Sequence, residues 1–119
     1  MAQNFDLFEK PLGQLRPDVI TPVTIYQLQG IDFAIIKEVL ITNLSGSNKT
    51  WSLYYDIDGT VFDPLSEVFN DQVIRGNVTL RIPGLWWPLN IANSGFGVKS
   101  SSIDTVLFTL LGVEGVGAG

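Results

Sequence analysis

From residue 23 to residue 113 the chain is a succession of short β-branched and aromatic runs, each cut off by Gly, Pro, Asn or Asp-Gly at intervals of about ten residues. A helix of ordinary length needs an unbroken 3.6-residue apolar period, and this punctuation leaves no room for one. The runs fall at 23–28, ended by Gln29-Gly30, and at 33–42, ended by the turn formers of 43–48. Residues 50–57 alternate most clearly, with Trp51, Leu53, Tyr55 and Ile57 on one face and Ser52, Tyr54 and Asp56 on the other. That period of two predicts a half-buried strand, and Asp58-Gly59 after it predicts a tight hairpin turn. Residues 61–72 fit a helical turn and an edge strand interrupted by Pro64 equally well. Strand patterning resumes at 73–74 and 77–82; Pro88 confines 85–89 to an edge or loop, and 92–95 form a turn. Residues 96–99 and 105–113 complete the set, the last apolar on both faces and hence expected at the centre of a sheet.

Seven or eight such strands in 119 residues predict one all-β domain, a single antiparallel β-sandwich of jelly-roll or immunoglobulin-like type. The sandwich is expected to span 23–114. Ahead of it, residues 1–22 read as an extended arm. Pro11, Gly13, Pro17 and Pro22 forbid a helix or central strand along it, while Phe5, Leu7 and Phe8 need cover from the domain itself or from a neighbour. The alternative reading of the arm is a short helix packed on its own sheet. Behind the sandwich, 115–119 are expected to be a flexible tail, because glycine's backbone entropy has little side-chain burial to offset it.

The residue inventory excludes much chemistry. With no Cys and no His there is no disulfide, thiol nucleophile or imidazole base, and zinc sites of the usual types are ruled out. A net charge of −5 supplies no basic stripe for a phosphate backbone, so nucleic acid and anionic membrane are not expected partners. Residues 1–16 hold no apolar run of signal-peptide length, and nowhere do about 18 apolar residues run together as a membrane span needs, so the chain is expected to be soluble and made in a cytoplasm. Charged residues are only 16% of the chain against 45% hydrophobic, which predicts that part of the surface is covered by a partner.

Three patterns could carry a site. Asp56, Asp58 and Asp63, with Glu67 beyond, could hold Ca²⁺ or act as paired acids, but the spacing fails as an EF-hand loop because Val61 stands where the invariant Gly is required. The hairpin turn explains them without a metal. Trp86 and Trp87, near Asn90, could form a sugar-stacking platform or fill a core edge or interface. The Asn-X-Ser/Thr triplets at Asn43, Asn48 and Asn77 reflect the turn chemistry of such a chain. No residue is therefore assigned a catalytic, cofactor-binding or metal-binding role. The expected interface residues are Phe5, Leu7, Phe8, Leu12 and Leu15 on the arm, with Trp86 and Trp87.

Four stretches carry a resemblance: Leu12-Gly13-Gln14-Leu15-Arg16-Pro17; the strand and loop from Ile35-Ile36-Lys37-Glu38 to Ser45-Gly46-Ser47; Tyr54-Tyr55-Asp56-Ile57-Asp58-Gly59-Thr60; and Val98-Lys99-Ser100-Ser101 leading to Phe108-Thr109-Leu110-Leu111-Gly112-Val113-Glu114. In these the chain resembles small structural virion proteins of tailed bacteriophages, departing from their pattern at Leu85-Trp86-Trp87-Pro88. The resemblance implies a non-enzymatic virion component without cofactors, made in the bacterial host cytoplasm. Its form would be a capsid decoration (cement) protein that binds the major capsid protein lattice as a homotrimer. A neck, tail or baseplate part, or a carbohydrate-binding module on the tail, is the alternative. It also implies that deleting residues 1–16 would leave the domain folded while weakening attachment.

Overall fold

The computed structural model describes residues 5–31 and 33–117, with side chains from 10 to 115 apart from residue 32. All the regular structure in them is strand: β1 (Phe5–Leu15), β2 (Val23–Gln27), β3 (Phe33–Asn43), β4 (Lys49–Asp56), β5 (Glu67–Ile74), β6 (Thr79–Ile82), β7 (Trp87–Leu89), β8 (Gly95–Ser100) and β9 (Val106–Gly117). Two antiparallel sheets result. The first runs β1-β9-β3-β6, with β7 also pairing to β3, and the second runs β2-β8-β4-β5.

The pairing settles the topology left open by periodicity. If the chain is folded in half at the β4–β5 connection, each strand of the first half pairs with its counterpart in the second: β4 with β5, β3 with β6 and β7, β2 with β8, and β1 with β9. A long hairpin wound in this way into two sheets is a jelly roll; an immunoglobulin sandwich does not pair its strands in that nested order. Inward-facing residues of both sheets form the core, among them Ile36, Val39 and Ile41 of β3, Leu53 of β4, Phe96 and Val98 of β8, and Phe108 and Leu110 of β9. β9, apolar on both faces, lies between β1 and β3 as expected of a central strand.

The structure departs from the sequence reading in three places. Asp58-Gly59 is not a tight hairpin turn: β4 ends at Asp56, β5 begins at Glu67, and Gly59 has no positive φ. The ten-residue connection instead folds back over the second sheet. Phe62 packs on Tyr54 with ring centroids 5.9 Å apart, and a Cβ on Gly97 would stand 2.6 Å from the Phe62 ring, so only glycine fits beneath it. Consequently β4 is covered on both faces. Tyr54 is buried, its hydroxyl pushed up to about 12 by burial and by Glu67 beside it. Ser52 is buried too, its Oγ accepting the Asp71 N–H at 2.9 Å. Trp51, Leu53 and Tyr55 do share the inward face.

Second, the glycine-rich end is not free. β9 continues to Gly117, where its backbone pairs with Leu7, Asp6 and Phe5 of β1, and Gly115 also pairs with Phe33 of β3. Neighbouring strands supply the hydrogen bonds that side-chain burial does not, and only residues 118–119 of the expected tail lie outside the described residues. Third, the N-terminal segment is extended, yet its residues 5–15 are a sheet strand along β9 and form no helix. Pro11 is accommodated because β1 is an edge strand with a bulge between Pro11 and Gly13, and Pro17 and Pro22 fall after the strand has ended.

Candidate interaction surface

The two tryptophans part company. Trp87 lies on β7 and turns inward, stacking on Tyr55 (centroids 5.6 Å apart, planes 13° apart) and tilting against Phe96 at 5.5 Å and Phe69 at 6.4 Å. The Tyr55 hydroxyl donates to the Pro88 carbonyl, fixing β7 across the gap between the sheets. Trp86 has φ of 54°, in the left-handed region that large side chains avoid, and it turns outward with 60% of its surface exposed. The Lys37 ammonium sits 4.8 Å from its ring centroid. With one indole in the aromatic seam and the other outside, the pair presents no shared stacking platform.

Of the other expected interface residues, Leu12 and Leu15 are half-buried and pack against the domain's own core. Phe5, Leu7 and Phe8 pair through their backbones with Gly117, Gly115 and Glu114, and their side chains lie outside the described ones.

Sequence reasoning missed a polar latch at this end of the sandwich. Glu114 on β9 is 7% exposed; it accepts from the Tyr26 hydroxyl of β2 at 2.5 Å and pairs with the Lys10 ammonium of β1 at 2.7 Å. One carboxylate thus joins the two sheets and the edge strand. Burial opposes its ionisation, but the Lys10 ammonium and the Tyr26 hydroxyl outweigh that and hold the carboxyl below its ordinary range. The Tyr26 hydroxyl is pushed up, first by burial and then by the carboxylate beside it. Nothing in a lone Glu among glycines signals this, because both partners are remote in sequence.

Beside the latch, β9 is flanked by irregularities on both sides: the bulge in β1 between Pro11 and Gly13, and one in β3 between Ile36 and Glu38. Together they open a groove of about 450 Å³ lined by Lys10, Pro11, Lys37, Glu38, Leu111 and Gly112. Glu38 pairs with Arg81 of β6 at 2.7 Å, so the groove has an apolar floor and charged walls.

Apolar side chains are exposed at both ends of the jelly roll. At one end the loop backbones are bonded together, Asp104 N–H to the Pro17 carbonyl and Leu44 N–H to the Thr105 carbonyl, and these loops carry Val19, Ile20, Leu44 and Ile103. At the opposite end the β4–β5 loop carries Ile57, Val61 and Leu65, the last 96% exposed.

The carboxylates of that loop act on its own backbone. Asp56 accepts the N–H groups of Asp58 (3.2 Å) and Val61 (2.7 Å), and Asp63 accepts that of Leu65 (2.9 Å). For Asp56 these N–H donors outweigh desolvation and lower its pKa, while Asp58 is raised by its hydrogen bond to Asp56 and the charge there. Among the described residues no three Asp or Glu side chains converge as a metal site would require. Asn43, the first of the Asn-X-Ser/Thr triplets, does serve its turn: it is buried with its amide donating to the carbonyls of Ser47, Ile74 and Arg75.

No protein-family model and no curated protein matches the chain. Among solved structures it is similar to a chain of the T13 infectious bursal disease virus particle, with a TM-score of 0.55 and 8% identity over 98% of the present chain. It is also similar to a chain in the structure of the Gx strain of that virus, with a TM-score of 0.48 and 11% identity over 98%. The protein spans about a third of the length of each, 32% and 33%. At such identity the likeness is one of fold.

Proposed function

We propose that this chain is a non-enzymatic structural protein of a virion, one that works by covering its apolar surfaces against other subunits. The observation that carries the reading is the placement of its chemistry: the buried carboxylate latches strands, the loop carboxylates hold a turn, and apolar side chains stand exposed at both ends of a jelly roll. The fold likeness to a chain of a viral particle supports the virion class. The resemblance to tailed-phage virion proteins supports a capsid decoration (cement) protein on the major capsid protein lattice, associating with itself as a homotrimer.

In that role the protein acts by mass action. A ligand with affinity only for the assembled lattice stabilises that lattice by an amount set by its concentration over its dissociation constant, and no bond is made or broken. Mass spectrometry of purified particles should find the chain at a fixed ratio to the major capsid protein. Adding it back to particles stripped of it should raise their temperature of disruption. Absence from particles would overturn the virion reading; presence without any stabilisation of the head, and a label located at the neck or tail, would move the protein to those parts.

A further inference from the structure

We infer that Asp58-Gly59 is a site of spontaneous backbone modification, at which the Asp58 side chain closes on the Gly59 amide to a cyclic imide and reopens as isoaspartate, with the Asp56 carboxylate as the base. The step needs no cofactor and no second protein.

Its first requirement is an amide nitrogen free to reach the side-chain carbon of the preceding residue. Of all the Asp and Asn residues in the chain, only Asp58 is followed by glycine, which puts no side chain in the way of the five-membered ring. Residues 57–59 form a bend after the end of β4, outside the strand ladders, and Asp58 is exposed to water. The neighbouring candidates fail on this count. Asp63 precedes Pro64, which has no amide proton to lose, and Asn93 precedes Ser94, whose N–H is taken by the Ile91 carbonyl at 3.0 Å.

The second requirement is a base beside that amide and a carboxyl that keeps its proton. Asp56 meets both. Its carboxylate accepts the N–H groups of Asp58 at 3.2 Å and Val61 at 2.7 Å. The Gly59 N–H is a further donor to it, and a Cβ on Gly59 would stand 3.5 Å from its Oδ2. The Asp58 carboxyl is hydrogen-bonded to the same carboxylate, which it can be only with its own proton in place. One carboxylate therefore touches both the amide that must lose a proton and the carboxyl that must be attacked.

The step balances with water as the one product. The Gly59 nitrogen passes its proton to Asp56 and bonds to Cγ of Asp58; the Cγ–OH bond breaks, and the leaving hydroxyl takes the proton back from Asp56. Water then opens the imide at either carbonyl. Opening at Cγ restores Asp58, whereas opening at the main-chain carbonyl leaves the chain running through Cγ, with a free carboxylate where the peptide carbonyl stood. That form lengthens the backbone by one methylene beside the turn that Asp56 holds, so the loop carrying Ile57, Val61 and Leu65 must resettle.

The test holds the full chain folded at neutral pH for several weeks, beside the same chain unfolded in urea, and follows both by intact mass and by peptide mapping with a fragmentation that separates isoaspartate from aspartate. The folded chain should show a species lighter by one water and isoaspartate at residue 58, formed at least as fast as in urea. Gly59→Ala, whose Cβ meets ordinary contact at a position without positive φ, should keep the melting temperature and slow the conversion several-fold. Asp56→Asn separates a base from a scaffold. Loss of a base slows the conversion in the folded chain and leaves the urea rate unchanged, while loss of a group that only held the loop still would let it convert faster. A folded chain that keeps its Asp58 while the unfolded one converts, a Gly59→Ala chain that converts like the wild type, or an Asp56→Asn chain that converts as fast as the wild type or faster would each overturn the inference.

Discussion

Glu114 carries more of the architecture than its surroundings in the sequence suggest. Its carboxyl is held below the ordinary value, so its contribution to stability is fully present above the unfolded carboxylate range, at a pKa of about 4.3, and is lost as pH falls through the lower folded value. Denaturation followed from pH 7 down to pH 3 should show stability falling below about pH 4, and Glu114→Gln should flatten that part of the profile. Glu114→Ala should cost about 1–3 kcal/mol at neutral pH, because it leaves the buried Tyr26 hydroxyl without its acceptor. The tryptophans give a contrast between neighbours. Trp87→Ala removes a ring packed on three aromatic partners and should cost about 3 kcal/mol or more by urea denaturation. Trp86→Ala removes a mostly exposed ring that lies under the Lys37 ammonium and should cost no more than about 1 kcal/mol.

Strands, more than side chains, decide what happens at the ends of the chain. The prolines and Gly13 of residues 1–22 correctly forbid a helix or central strand, but an edge strand that bulges past Pro11 satisfies the same constraints as a free arm. This changes the expected effect of truncation. Deleting residues 1–16 removes β1, strips Leu12 and Leu15 from the core, leaves Glu114 without Lys10 and exposes the edge of β9. With two packed side chains, an ion pair and a whole edge strand lost, the shortened chain should melt well below the full one or aggregate. An unchanged melting curve would show that β1 adds nothing to the sandwich. The β4–β5 connection teaches the same lesson in reverse. Asp-Gly after an alternating strand is a sound local signal for a tight turn, yet Phe62 gains more by covering Tyr54 and Gly97 than a two-residue turn would allow.

At the scale of the molecule, the nested pairing governs how the fold is reached. Of the paired strands only β4 and β5 follow one another in sequence; β1 pairs with β9 from far along the chain, Phe5 opposite Gly117. Non-local pairing must overcome loop-closure entropy before it is rewarded, so refolding should take roughly milliseconds to seconds. Stopped-flow tryptophan fluorescence should show this, with Trp87 reporting closure of the aromatic seam; full recovery of the native signal within microseconds would contradict it.

By itself the sequence determined the all-β class, the strands over residues 23–28, 33–42 and 50–57 nearly to their ends, the start of the one expected at 105–113, and the lack of thiol or imidazole chemistry. Alternation and turn formers are local properties, each legible within about ten residues. Tertiary structure alone decided the jelly roll, the pairing of β1 with β9, the ordering of 115–117, the parting of Trp86 from Trp87, and the joining of Lys10, Tyr26 and Glu114. Each of these depends on groups distant in sequence meeting across a sheet, and neither the register nor a bulge that shifts it is written in the local pattern of any one strand.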